Sequence, residues 1–226
     1  IFHVHVHVIP RYRGDIPDPR GGVRHVIPAK ANYLSRVEDS DRSTQTAQTL
    51  LYTGDSTKPF SLALKDHLAT ATSVDIAVAF VMRSGVDILQ AAIKEALSRG
   101  VRMRLLTGDY LDATDPIALV QLLDLEAQNG DIELRVFETS KSKSAITSLP
   151  TSFHPKAYIF EHADTTGTAI IGSSNLSKSA LSDGVEWNYR VISSRDEQGY
   201  EEARAAFERL FHHPATATLT KAWIED

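Results

Sequence analysis

The chain has no cysteine among its 226 residues, which excludes disulfides and thiolate metal sites and fits a cytoplasmic protein. Long apolar runs are missing too. None reaches the roughly 18 residues that a membrane-spanning helix requires, so no membrane insertion is expected. No signal-peptide pattern opens the chain. An excess of positive charge is also lacking: 24 Lys and Arg stand against 29 Asp and Glu, a formal net charge of -5. That balance argues against a large nonspecific surface for a polyanion but leaves room for a local basic patch. An initiator Met is absent as well, and Ile1 falls inside a strand-like run, so the sequence reads as a piece of something longer.

What is present is ordinary for a globular protein, with 42% hydrophobic and 23% charged residues, in a length that suits one full domain plus a smaller appendage. Residues 2–9 alternate strictly between apolar and other side chains and predict a strand. A turn-rich stretch follows Pro10, with Gly14, Pro17, Pro19, Gly21 and Gly22. From Ser35 to about Gln48 the sequence is polar with almost nothing to bury, which marks a linker. The expected organisation is an N-terminal fragment over 1–34, a linker over 35–50, a main domain over 51–213 and a tail over 214–226.

In the main domain, apolar spacing predicts helices over about 59–71, 85–99, 115–128 and 196–211, the second stopped by Gly100 and the third opened by Pro116. Between them, 74–81, 101–106 and 132–137 predict buried strands. This alternation implies an α/β layered domain with a largely parallel sheet there. Residues 156–160, 168–171 and 185–192 predict three further strands close together. There is no internal repeat.

The informative segment runs from Phe153 to Asn188. His154-Pro-Lys156 enters a strand, Gly172-Ser173-Ser174-Asn175 leaves the next, and Glu186 follows in Val-Glu-Trp-Asn. Strand side chains at i and i+2 face the same way, so His154 and Lys156 point into one site. The Gly172–Asn175 turn precedes a short helix near Ser177 and offers N–H groups, a hydroxyl and an amide to an anion. Neutral imidazole is a competent nucleophile near pH 7. Lysine and asparagine can neutralise charge on phosphoryl oxygens. A carboxylate such as Glu186 could orient the imidazole. Phosphoryl transfer built this way calls for no metal and no cofactor.

In this ordered set the sequence resembles the phospholipase D superfamily, whose signature is His-x-Lys-x4-Asp followed by Gly-Ser-x-Asn. His154, Lys156, Ser173 and Asn175 match it, and Glu186 resembles the acidic residue supporting the family's nucleophile. Two departures stand out: the signature Asp falls on Glu161, and the gap from Glu161 to Gly172 is long, as a hairpin extended through 162–167 would explain. The resemblance covers about 51–211 and is similar to nuclease domains fused to bacterial helicases or found in restriction enzymes. It implies a mixed β-sheet flanked by helices, with a short N-terminal β appendage in this chain. It also implies a DNA phosphodiesterase working through a phosphohistidine, with RNA as another possible substrate. Because only one His-x-Lys set exists and the family's mechanism uses two, the resemblance implies a homodimer sharing one site. Substrate contacts are expected from Ser174, Lys141 and Lys143. The alternative is a helicase's DNA-binding module that does not cleave.

His3, His5 and His7 alternate with valines and face one side of the predicted first strand. Together with Pro10-Arg11-Tyr12 and Pro19-Arg20-Gly21-Gly22-Val23-Arg24, they resemble the C-terminal end of a histidine-triad nucleotide hydrolase. That resemblance implies His5 as nucleophile. With most of such a domain absent, these residues are expected to be inactive here; the alternative is a working fusion in a full-length protein, with a helicase beyond Asp226. Among other features, Arg99, Arg102 and Arg104 read as a solvated strand end, Tyr158 and Trp187 as core, and His212 and His213 as residues at a helix C-terminus.

Overall fold

The structure is a computed structural model that describes residues 49–54, 58–109, 113–142 and 152–225. The N-terminal β appendage, with His3, His5 and His7, lies outside the described residues, as does Lys143.

Helix α1 (Phe60–Thr70), strand β2 (Ala71–Val78), helix α2 (Arg83–Ser98), strand β3 (Arg102–Gly108), helix α3 (Pro116–Asn129) and strand β4 (Ile132–Phe137) alternate as the apolar spacing predicts. The helix ends follow from local chemistry. Gly100, at φ 80°, closes the turn after α2. Asp115 accepts a hydrogen bond from the Ile117 N–H at 2.9 Å, with Pro116 opening α3. Gly130, at φ 73°, ends it, the left-handed conformation that glycine adopts without steric cost.

The rest of the sheet is antiparallel: β5 (Lys156–His162), β6 (Gly167–Gly172) and β7 (Asn188–Ile192), with β1 (Leu51–Tyr52) beside β7 and β8 (Thr216–Thr218) beside β4. The order in the 8-stranded sheet is β1-β7-β6-β5-β2-β3-β4-β8. Only β2, β3 and β4 are mutually parallel. The fold is therefore the mixed α/β sheet flanked by helices. The long gap from Glu161 to Gly172 is spanned by the expected hairpin, with Thr165 at φ 65° in the turn between β5 and β6. The third predicted strand of that group is shorter than its apolar pattern suggested: residues 185–187 approach the sheet only through isolated contacts, and regular pairing with β6 begins at Asn188.

Helices α1, α2, α3 and α5 (Lys221–Glu225) cover one face, where Phe60, Leu64, Leu89, Ile93 and Leu122 pack on Val74, Ile76 and Leu105. Helix α4 (Glu197–Phe211) covers part of the other, where Tyr200, Phe207 and Phe211 pack on Ala77, Leu106, Ile159 and Ala169. Each such side chain contributes roughly 1.5–3 kcal/mol on burial. Strands β2 and β3 are buried on both faces, which is why they read as near-continuous apolar runs.

Two sequence expectations are corrected here. Arg104 is no solvated strand end: it is buried, with a two-pronged ion pair to Asp75 at 2.7 Å and a third bond to Glu208 at 2.6 Å. The Asp75 hydrogen bonds, above all, push the Arg104 pKa up. Alternation places both partners on the α4 face, where α4 supplies Glu208 and stacks Phe207 and Phe211 against the guanidinium. The segment after Pro214 is also more than a tail. It adds β8 to the sheet edge, buries Leu219 and packs Trp223 and Ile224 against the core.

Candidate active site

The carboxyl ends of β2 and β3, the start of β5, the end of β6 and the start of β7 all lie at one end of the sheet, as the pairing registers require. The His-x-Lys and Gly-Ser-x-Asn segments sit at this end. Lys156 pairs across from Val78, and the Ala157–Ile171 pair sets β5 beside the end of β6.

His154 is exposed, whereas Lys156 is 7% exposed. The Lys156 ammonium lies 2.7 Å from His154 Nδ1 and 3.0 Å from Nε2, and it also donates to the His154 carbonyl at 3.1 Å. The imidazole therefore has a cationic donor close to both of its ring nitrogens. Burial pushes the Lys156 pKa down, and the Glu186 carboxylate opposes that shift.

Asn175 is buried, and its Oδ1 accepts from the Phe80 N–H at 3.3 Å, just past the end of β2. That bond orients the amide and leaves Nδ2 as its free donor among the described residues. The first turn of α2 abuts the same loop: the Met82 N–H donates to Leu176 O at 2.9 Å. Gly85 packs against that Leu176 carbonyl so closely that a methyl group would overlap it. The positive end of a four-turn helix is thus held next to the motif.

Ser173 Oγ donates to Glu186 Oε2 and accepts from the Trp187 N–H at 3.1 Å. Glu186 therefore engages Ser173, and among the described residues no hydrogen bond joins it to His154. The expected N–H cradle of the turn is corrected too. The Ser173 N–H is taken by the Trp187 carbonyl, and the Ser174 N–H by Asn188 Oδ1. Lys156 and Asn175 Nδ2 remain as side-chain donors for an anion.

Ser174 is also corrected. It is 0% exposed, and its hydroxyl donates to the Ala180 carbonyl and accepts from Asn188 Nδ2. It cannot touch a substrate. Asn188 was missed in the sequence; the available signal was an amide at the first inward position of the strand that follows Glu186.

Lys141 is exposed at the end of β4 but is already paired with Glu138 at 2.7 Å. Glu161, at the signature acidic position, lies at the far end of β5 and pairs with Arg204 at 2.9 Å. Tyr158 is core, as expected. Trp187 is the opposite, 66% exposed, because residue 187 falls on the sheet face beyond the reach of α4. It joins Leu51, Ile171, Val185 and Tyr189 as exposed large apolar side chains. Leu51, Tyr189 and Ile171 are successive cross-strand partners, so they form one strip next to the Ser173 turn.

Comparison with known proteins shows the family and the fold. The domain family described as cardiolipin synthase, PLD-like domain, matches residues 64–211. No curated protein matches the chain. Among solved structures, NucT from Helicobacter pylori is 19% identical with a TM-score of 0.53, covering 70% of this chain and 91% of that one. Phosphatidylserine synthase from Haemophilus influenzae Rd KW20 is 15% identical with a TM-score of 0.51, covering 78% of this chain and 40% of that one. Polyphosphate kinase from Porphyromonas gingivalis is 11% identical with a TM-score of 0.52, covering 77% of this chain and 24% of that one. Among the described residues, no helix is long and apolar enough to cross a membrane.

Proposed function

The chain belongs to the phospholipase D-like domain family of the cardiolipin synthase type, and from that premise we propose that it is a metal-independent phosphodiesterase that cuts DNA through a phosphohistidine. The observation that carries this reading is the Lys156 ammonium within hydrogen-bond distance of both His154 ring nitrogens, at the sheet end that also holds Ser173 and Asn175. Shared folds host different chemistries, so the reading rests on these groups and not on the neighbours' names.

In the proposed reaction, an imidazole nitrogen of His154 attacks the phosphorus. A P–N bond forms and the P–O bond to the leaving strand breaks. The departing oxygen takes a proton from a second imidazole. Lys156 and Asn175 Nδ2 hold the nonbridging oxygens. Water then attacks the phosphorus, giving its proton to the second imidazole, and the P–N bond breaks.

The second imidazole is His154 of another copy. The exposed strip of Leu51, Ile171, Trp187 and Tyr189 beside the site supports this. A two-fold axis through such a strip buries the same apolar surface from both copies and brings the two histidines towards one another. We further infer that the chain acts in the cytoplasm as a module of a larger helicase or restriction protein. Lys141 and Lys143 would track the DNA backbone.

The test is plasmid nicking in EDTA by the wild-type chain, His154→Ala and His5→Ala. Loss in His154→Ala alone is the expected result. Equal nicking by all three overturns the assignment. DNA binding without cleavage in every case would instead favour a targeting module, and loss in His5→Ala alone would favour nucleotide hydrolase chemistry.

A further inference from the structure

Ser174 lies at the middle of the Gly172–Asn175 turn, and each of its polar groups is satisfied by the protein. Asn188 Oδ1 accepts from its N–H at 3.3 Å, and Asn188 Nδ2 donates to its hydroxyl at 2.8 Å. The hydroxyl donates onward to the Ala180 carbonyl at 3.4 Å, and the Tyr158 hydroxyl donates to the Ser174 carbonyl at 3.1 Å. Asn188 and Tyr158 are each 1% exposed. The two strands that flank β6 thus grip one residue, β7 through Asn188 and β5 through Tyr158. Rotation of the turn in either sense breaks bonds that buried groups cannot replace with water.

Two further observations point the same way. A methyl group at Gly172 would collide with the Asn188 amide oxygen and the Trp187 carbonyl. The glycine of the motif is therefore what lets Asn188 reach the turn, a close approach and not a left-handed backbone. Tyr158 is itself seated edge-on against Phe60, 5.5 Å between ring centres, at the start of α1. Burial, and then the Glu186 charge, pushes the Tyr158 pKa up, so its hydroxyl remains a donor throughout the working pH range.

We propose that Asn188 and Tyr158 are positioning residues for catalysis: by clamping Ser174 from both sides they fix the flanking Asn175 amide where a phosphoryl group must be held, and keep the flanking Ser173 against Glu186. This rests on the function proposed above and assigns it a second layer of control. Preorganised donors lose catalytic effect when displaced by about an ångström, even when the fold survives. Neither residue touches the substrate.

The experiment compares the wild-type chain with Asn188→Leu, Tyr158→Phe, Ser174→Ala and the double variant Asn188→Leu/Ser174→Ala. It reads kcat and KM on bis-p-nitrophenyl phosphate, the inhibition constant of inorganic phosphate, and Tm, all assayed well below the lowest Tm. Tyr158→Phe and Ser174→Ala remove single hydroxyls, so they keep the test alive if Asn188→Leu does not fold. The expected result is a 10-fold or greater weakening of phosphate inhibition and a 10- to 100-fold loss of kcat in Asn188→Leu. A smaller loss of the same kind is expected in Tyr158→Phe. The double variant should be no worse than Asn188→Leu alone, because both substitutions remove the same contact. Variants that lower Tm but keep wild-type kcat and phosphate inhibition overturn the inference and leave the proposed function standing. A wild-type chain that neither hydrolyses the diester nor binds phosphate overturns both.

Discussion

The Lys156 ammonium sits 2.7 Å from Nδ1 of His154, two residues earlier, at the end of the sheet where β2 finishes and β5 begins. The proximity gives Lys156 two tasks, holding the imidazole and neutralising phosphoryl oxygen. Lys156→Gln retains a donor without the charge. It should reduce kcat by about 100- to 1,000-fold with a much smaller change in KM, on the scale of losing one preorganised donor. Steady-state kinetics on a DNA oligonucleotide check this, and a change confined to KM would contradict it.

Glu186 reaches Lys156 through charge and Ser173 through a hydrogen bond. Glu186→Gln keeps the second and deletes the first. Burial already lowers the Lys156 pKa and the carboxylate partly restores it. Removing the carboxylate therefore lowers that pKa further. If the ammonium is required, activity falls as pH rises through this pKa, so the alkaline limb of the pH–rate profile should move to lower pH in Glu186→Gln. An unmoved limb would show that Glu186 acts only through Ser173.

Much of this site was legible in the sequence, because strand alternation and residue type carry the information. His154 and Lys156 at i and i+2 on a strand fix a shared face, and the Gly172–Asn175 turn declares itself by its glycine and short polar side chains. What could not be read was pairing across the sheet. Nothing in the order of residues tells that Glu186 meets Ser173, or that Asn188 consumes the N–H of Ser174. Both depend on the β6–β7 register. Arg104 failed for a related reason: a charge in a strand looks solvated until Asp75 on the neighbouring strand and Glu208 on α4 are brought beside it. Trp187 looked like core because aromatic strand residues usually are, whereas α4 stops short of covering it.

The Asp75–Arg104 pair is buried on both sides, and Glu208 is half exposed. Deleting Asp75 leaves the buried Arg104 with the half-exposed Glu208 in place of its two-pronged partner. Asp75→Ala should therefore cost about 3–5 kcal/mol in urea denaturation. Glu208→Ala, where solvent can replace the lost contact, should cost about 1 kcal/mol or less. Equal costs would contradict the assignment of Asp75 as the principal partner.

His67 stacks on Phe160 with ring centres 4.9 Å apart and lies 5.6 Å from the His162 ring. Burial first, then the charges of His162 and Arg190, lowers its pKa from 6.5 to about 4. The unfolded chain binds this proton more readily than the folded one. Stability from this group is therefore complete above about pH 6.5 and is lost as pH falls towards 4. The fall in Tm between pH 7 and pH 4.5 should be smaller in His67→Phe than in the wild type. An identical fall in both would exclude His67 as a source of acid sensitivity.

The strip that includes Trp187 and Tyr189 gives the homodimer a residue-level test. Trp187→Glu places a charge on the apolar surface that a second copy would bury. Light scattering should show a monomer, with nicking activity reduced at least 100-fold, because the leaving oxygen loses its acid. A monomer with full activity would contradict the shared site.

The most direct measurement is the search for the covalent intermediate itself. A labelled DNA oligonucleotide is mixed with the wild-type chain, quenched in alkaline detergent during turnover, and resolved on a denaturing gel. The account predicts a labelled protein band that is stable to alkali, lost on mild acid treatment as a P–N bond should be, and absent from His154→Ala. A wild-type chain that cuts the oligonucleotide at full rate with no such band, or a His154→Ala variant that still forms one, would contradict it.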